Sequence, residues 1–338
     1  MLMDVVVCTE PGRLEFVRRQ RPQRNAGEVL IRVRRVGVCG TDMHIFRGTQ
    51  PFLSYPRVMG HEVSGEVAEA DAGEGLAPGA PVYVMPYMSC GECIACRQGK
   101  TNCCVRIEVL GVHRDGALAE YISVPRQFVV RVDGIGFDAA AMIEFLAIGA
   151  HAVRRAQISN GRSVLVVGAG PIGIAAAIFA KAAGGIVTSI DSRQDRLELC
   201  RRDIGVDHVV VAGPNDDAEL ERISNGEFFD FVIDATGSPA AMEAGFNRVA
   251  HGGTYVLVSI VSADIRFSDP QFHKRETTLL ASRNATAEDF AHVVDAMRAG
   301  RVPLQALSTH RATLAEFPQA LPRWMEPGQG VIKALVEL

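Results

Sequence analysis

Residues 163–191 read SVLVVGAGPIGIAAAIFAKAAGGIVTSID. Ser163 to Val167 is a continuous apolar run of the kind that forms a buried parallel strand. Gly168, Ala169, Gly170, Pro171, Ile172 and Gly173 then spell GxGxxG, directly after that strand and into an Ala-rich helix. Each glycine in this pattern has a mechanical use: the first permits the tight turn, the second lets backbone approach a pyrophosphate, and the third allows close helix packing. Amides at the helix N-terminus then favour negative charge. Asp191 closes the next strand, Ile186 to Asp191, 18 residues after Gly173. A carboxylate there accepts hydrogen bonds from an adenosine ribose, which favours NAD, while Arg193 close by leaves scope for some tolerance of NADP.

Downstream, strand-like and helix-like segments alternate. A helix runs to about Ile204, followed by His208 to Val211 and a helix near Asp217 to Ser224. Phe229 to Ala235, a helix from Pro239 to Ala250, and Thr254 to Ile260 complete the series. That order predicts a doubly wound, Rossmann-type α/β sheet over 147–283. Upstream the pattern differs. Val29, Ile31 and Val33 alternate with Arg32 and Arg34, and further β-like runs are Val63 to Ala68, Val82 to Pro86, Ala117 to Val124 and Phe128 to Val132. Turn residues such as Pro78, Gly79 and Gly116 separate them. A second, β-rich domain is therefore expected over 1–146. It is joined by 284–338, where a helix from Glu288 to Met297 precedes a terminal strand, Val331 to Val336. Two domains also suit a length of 338 residues.

Hydrophobic residues make up 48% and charged residues 22%, the balance of an ordinary globular protein. A formal net charge of -4 offers no global attraction to nucleic acid or anionic membranes. No apolar stretch approaches the roughly 20 residues needed to span a bilayer. Met1-Leu-Met-Asp4 lacks the basic start of a signal peptide, so a cytoplasmic location is expected.

Five of the eight cysteines fall between Cys90 and Cys104, which in such a chain reads as metal ligation rather than disulfide bonding. Cys90, Cys93 and Cys96 follow CxxCxxC, and Cys103 and Cys104 compete for a fourth place. Four thiolates close a tetrahedral zinc shell with no open position, so a structural lobe is expected at about 88–106. A second, more dispersed set comprises Cys39, His61, Glu62 and Glu144. A lone buried cysteine is usually packing, and a lone histidine is more often a hydrogen-bonded core group than a ligand. Together, though, one thiolate, one carboxylate and one imidazole would hold zinc and leave a position open for substrate.

Gly37-Val-Cys-Gly-Thr-Asp-Met-His44, Gly60-His-Glu62, the cysteine lobe, Glu144 and Gly168-Ala-Gly-Pro-Ile-Gly173 occur in that order. The ordered set resembles the zinc-dependent medium-chain dehydrogenase family of alcohol and polyol dehydrogenases, over nearly the whole chain. The resemblance implies a GroES-like catalytic domain beside the Rossmann domain, two zinc ions per chain, NAD, and a homodimer or homotetramer formed through the nucleotide domain. It aligns Cys39, His61 and Glu62 with catalytic zinc ligands and Glu144 with a further acidic ligand, and it leaves open which carboxylate binds directly. It makes Cys104 the fourth lobe ligand. It also places Thr41 and His44 in a proton relay, a task that suits a hydroxyl and an imidazole. Family members often carry Glu-Pro where this chain has Glu144-Phe145.

The segment from His44 to Arg57 resembles the sugar-acid branch of the family, including L-galactonate and L-gulonate 5-dehydrogenases. A hexonate carboxylate calls for a guanidinium, and Arg47, Arg57, Arg114 and Arg283 are candidates, with His113 a further candidate for the substrate pocket. Arg283 is favoured because it follows the last strand of the nucleotide domain. The expected reaction is oxidation of a secondary alcohol of a polyol or sugar acid to a ketone. L-Threonine 3-dehydrogenase, a sorbitol or other polyol dehydrogenase, and a non-catalytic nucleotide-sensing zinc protein are the alternatives.

Overall fold

The computed structural model describes residues 1–72 and 75–338. The chain divides into two compact units, one of residues 1–144 and 307–338 and one of residues 145–306.

The first unit is built on a seven-stranded sheet. Its order is Ser308–Thr313, Lys333–Glu337, Glu28–Val38, Glu62–Glu69, Pro81–Val84 and Val129–Arg131, with Tyr121–Pro125 also paired to Glu28–Val38. Glu28–Val38 is central: its first half pairs with Tyr121–Pro125 and its second half with Lys333–Glu337. The core beneath is aliphatic, with Val5, Val29, Ile31, Val36, Val63, Val82, Leu118, Phe317 and Val336 all buried. An N-terminal hairpin, Leu2–Glu10 with Arg13–Gln20, was not expected from the sequence. Its Val6 donates to the Leu118 carbonyl, which places Ala117–Ala119 against the hairpin rather than in the predicted strand, now confined to Tyr121–Pro125.

The second unit is a six-stranded, all-parallel sheet. In space the order is His208–Val211, Ile186–Asp191, Ser163–Val167, Phe229–Asp234, Val249–Leu257 and Thr278–Ala281. Numbered by sequence this is 3-2-1-4-5-6, the doubly wound order, and it reverses between Ser163–Val167 and Phe229–Asp234. The helix Pro171–Ala182 buries every residue from Gly173 to Ala180. Ile143–Ala156 packs closely on it, since a Cβ at Gly149 would fall 2.5 Å from Ala175 and Ala176 backbone atoms.

Several boundaries differ from expectation. The helix from Pro239 ends at Gly245, not Ala250, and the following strand is Val249–Leu257 rather than Thr254 to Ile260. Tyr255 explains the stop: its hydroxyl donates to the Met242 carbonyl at 2.8 Å, and its ring occupies the space a side chain at Gly245 would need. The segment to Ile204 is an α-helix only as far as Leu199 and widens into a π turn at Cys200–Ile204. The chain re-enters the first unit at Leu307, not at 284. Ala287–Arg298 stays with the nucleotide unit because Asp289 bonds His151 and Arg154 there and His292 packs on Phe179.

Candidate functional site

Cys39 is the N-cap of a short helix, Gly40–Arg47, for which the sequence shows no clear apolar periodicity. Asp42, 1% exposed, organises this turn: one oxygen accepts from the Cys39 amide at 2.9 Å and the other from the Gly60 amide at 3.1 Å. One buried carboxylate thus ties the Cys39 turn to the segment that carries His61 and Glu62. Gly60 has φ +94, where a side chain would be strained, and a Cβ at Gly37 would fall 2.0 Å from Glu62 Oε2.

The result is a buried group in which ligand atoms of Cys39, His61 and Glu62 all lie within 4.8 Å of one another. Three further observations fit this group to a cation. His61 Nδ1 is buried and has no hydrogen-bond partner. Burial pushes the His61 imidazole down, but the Cys39 bond and the charges of Cys39, Asp42 and Glu144 hold it well above the usual histidine range. Glu144, expected as a ligand, lies outside that group; it is buried at the start of its helix and accepts from the Tyr87 hydroxyl, and burial and the nearby Glu62 charge push its carboxyl up. Such an excess of buried negative charge is what a divalent ion relieves. Lys333 also belongs to the cluster, donating to both oxygens of Glu62 at 2.6 and 2.8 Å.

Thr41 lies beside this group, its Oγ1 accepting from the Cys39 thiol at 3.8 Å. His44 is exposed and shares a 2.9 Å bond between Nδ1 and Thr49 Oγ1. Two of the expected substrate residues are engaged elsewhere. His113 Nδ1 accepts from the Val109 amide at 3.0 Å, and Arg114 reaches Met88 Sδ at 3.2 Å. Both line a groove of about 660 Å³ with Arg19, Arg57 and Asp115, and none of Cys39, His61 or Glu62 lines it. Local turn bonding, invisible in composition, decides their place. Arg47 is exposed in the last turn of Gly40–Arg47, and Arg283 is exposed just beyond the strand Thr278–Ala281 of the second unit.

The four thiols of Cys90, Cys93, Cys96 and Cys104 form a second group within the same 4.8 Å limit. Cys104 is buried and accepts from the amides of Cys90 and Arg106, whereas Cys103 is exposed and lies outside the group. Arg106 and the Glu92 amide pull the Cys90 thiol down to about 6, while burial and the neighbouring thiols push Cys96 up to about 11. Thiols crowded in this way compete for ionisation until a cation settles them.

In the second unit, Gly168 has φ +93 at the C-terminal end of the first strand, next to the reversal in strand order. Gly170 caps the helix, Pro171 takes its first position and Ile172 follows within the first turn. A Cβ at Gly173 would fall 1.7 Å from the Gly168 carbonyl oxygen, so only glycine fits. Asp191 braces the loop, one oxygen accepting from the Ala169 amide at 2.6 Å and the other from Arg193 N at 2.8 Å. These backbone amides, the open glycine face and the carboxylate make a cradle that fits a dinucleotide. The Arg193 guanidinium is committed to Asp195, at 3.1 and 2.5 Å, instead of standing free for a second phosphate.

Comparison with known proteins gives two family matches: the alcohol dehydrogenase GroES-like domain over residues 25–134 and the zinc-binding dehydrogenase family over residues 171–299. An L-galactonate-5-dehydrogenase of Escherichia coli strain K12 is 43% identical over 337 residues, 99% of this chain and 98% of that protein. An L-threonine 3-dehydrogenase of Pyrococcus horikoshii is 33% identical over 319 residues, 91% of each. Among solved structures, the short chain alcohol dehydrogenase RspB of E. coli CFT073, complexed with NADH, aligns with a TM-score of 0.94 at 29% identity, covering 100% of this chain and 99% of that one. Among the described residues, no helix is long and apolar enough to cross a membrane.

Proposed function

The chain belongs to the zinc-binding alcohol dehydrogenases with a GroES-like domain, oxidoreductases that act on CH-OH groups, and from that premise we propose that it oxidises a secondary alcohol of a sugar acid, of the L-galactonate or L-gulonate type, to a ketone with NAD as acceptor. The observation that carries the reading is the convergence of Cys39, His61 and Glu62 in one buried group. Cys39 and His61, with a carboxylate from Glu62 or Glu144, would hold the catalytic zinc, and Cys90, Cys93, Cys96 and Cys104 a structural one. A bound zinc ion supplies Lewis acidity to a substrate hydroxyl, and NAD supplies the hydride acceptor.

The chain's own residues do the rest. Thr41, beside the Cys39 sulfur, takes the proton released by the alcohol, and the exposed His44 passes it to water. Asp42 fixes the Cys39 turn against Gly60 so that thiol and imidazole face one point. Gly168, Gly170 and Gly173 leave backbone amides open to a pyrophosphate, and Asp191 accepts from the ribose. Arg283 is the candidate partner for a substrate carboxylate.

A panel of hexonates, polyols and L-threonine, assayed for NADH and NADPH formation in parallel, tests the substrate class. The expected result is turnover of a hexonate with NAD. Activity on L-threonine or sorbitol with none on any hexonate would replace this reading. Metal analysis separates an enzyme from a nucleotide-sensing zinc protein: two zinc ions per chain are expected, and one in fully loaded protein would favour the sensor. A homodimer or homotetramer is expected by sedimentation.

A further inference from the structure

The groove that His113 and Arg114 line belongs wholly to the first unit, and its walls set three guanidinia, Arg19, Arg57 and Arg114, against two carboxylates, Glu28 and Asp115. One positive charge is left over, in a chain whose formal net charge is -4. The guanidinia are loosely held. Arg19 Nη1 and Arg57 Nη1 each stand 3.4 Å from an oxygen of Asp115, beyond the roughly 2.7–2.9 Å of a tight ion pair. Asp115 is already committed to the Val58 amide, at 3.1 Å. Arg57 is 15% exposed, and its Nε is buried with no hydrogen-bond partner. Arg114 Nη1 meets the Met88 sulfur, a weak acceptor. A further carboxylate would therefore find donors on all three arginines. Gln20, Gln23 and Ser123 add groups to the lining that both donate and accept, as a chain of hydroxyls requires. Buried Val5, Val58 and Leu110 supply apolar surface for its C–H groups.

We propose that this groove is a second, non-catalytic binding site for a sugar acid, whose carboxylate is taken by Arg19, Arg57 and Arg114. A volume of about 660 Å³ lies within the range of small-molecule sites. The single surplus charge matches a carboxylate better than a phosphate, which carries about -1.5 to -2 at neutral pH. The ligand class is that of the proposed substrate, and in that choice the inference rests on the dehydrogenase reading. The place does not: none of Cys39, Thr41, His44, His61, Glu62 or Glu144 lines the groove. Arg57 and Arg114, which the sequence offers to the substrate, serve this second molecule instead.

Calorimetric titration of the zinc-loaded protein with L-gulonate counts the sites. Two per chain are expected in wild type and one in Cys39→Ser, where the metal position is lost and the groove remains. Arg19→Gln and Arg57→Gln, each made in wild type and in Cys39→Ser, are expected to weaken the groove site by at least about tenfold, the contribution of one charge-assisted bond. Sorbitol, which has the hydroxyls but no carboxylate, and inorganic phosphate are expected to bind there at least about tenfold more weakly than L-gulonate. Arg19→Gln should keep wild-type NADH formation. The proposal is overturned if Cys39→Ser binds no hexonate, if neither arginine variant weakens binding, if sorbitol or phosphate binds as tightly, or if Arg19→Gln loses turnover. Should Cys39→Ser fail to fold, wild type decides: two sites of which Arg19→Gln weakens one support the groove, and a single site refutes it. Hexonate held in the groove with no NADH formed from any hexonate would overturn the proposed substrate alone, and hexonate turnover with no second site would overturn the groove alone.

Discussion

Replacing Gly173 with alanine puts a methyl carbon 1.7 Å from the Gly168 carbonyl oxygen and 2.8 Å from its carbon. A carbon–oxygen contact needs about 3.3 Å. The start of the helix Pro171–Ala182, or the loop before it, must therefore move by about 1.6 Å, close to the helical rise of one residue. The obstacle is backbone in the tightest part of the unit, so the cost belongs at the upper end of the overpacking range, about 3 kcal/mol. In a unit spanning residues 145–306 each kcal/mol lowers the melting temperature by about 2–4 °C, which predicts a fall of about 6–12 °C. Gly170→Ala is the control. Its nearest neighbour is Arg196 Nη1 at 3.8 Å, and its φ of -73° suits any residue. That variant should melt within about 2 °C of wild type, yet bind NADH on the order of tenfold more weakly, because its methyl stands where backbone must meet the pyrophosphate. Thermal melts and fluorescence titration with NADH measure both quantities. Gly173→Ala melting with wild type, or Gly170→Ala melting early with its NADH affinity intact, would overturn this division of roles between the two glycines.

Asp289 accepts from His151, from Arg154 and from both the amide and hydroxyl of Thr286. Burial opposes its charge, but these bonds hold the carboxyl far below the usual carboxylate range. Its stabilising contribution is thus present above the unfolded value of about 3.9 and is lost as pH falls towards the folded value. Asp289→Asn should cost about 3 kcal/mol at pH 7, a difference from wild type that narrows in urea melts on acidification. Asp42→Ala removes the bonds to the Cys39 and Gly60 amides and should weaken the second zinc by about 10–100-fold in chelator competition, leaving the lobe's zinc in place. Cys104→Ser should lose the lobe's ion, whereas Cys103→Ser should retain two ions per chain by metal analysis.

The nucleotide unit was largely legible in the sequence because its requirements are local: a buried apolar strand, glycines that only glycine can satisfy, and an acid one strand later. The clustering of the Cys90, Cys93, Cys96 and Cys104 thiols was legible for the same reason, since all four fall inside 15 residues. Boundaries failed where tertiary contact overrode the local signal, as when the Tyr255 hydroxyl took the Met242 carbonyl and ended a helix early. The helix Gly40–Arg47 is too short and too weakly patterned to announce itself, although it carries Cys39 at its cap. Asp42 lies within Gly37-Val-Cys-Gly-Thr-Asp-Met-His44, but its bond partner Gly60 is 18 residues away. Lys333 is 271 residues from Glu62, and nothing near it in the chain signals a buried ion pair.

The first unit is assembled from two separated pieces of chain, and its central strand Glu28–Val38 needs Lys333–Glu337 along its second half. During translation at about 5–20 residues per second, the 162 residues of the nucleotide unit alone take about 8–30 s to emerge. Through that interval the backbone of Arg35–Val38 is an open β-edge, of the kind that invites pairing with other nascent chains. A message truncated before Lys333 would still encode the whole dinucleotide fold, but its product would keep that edge and lack the ammonium that anchors Glu62, making it a candidate for chaperone capture rather than a half-active enzyme.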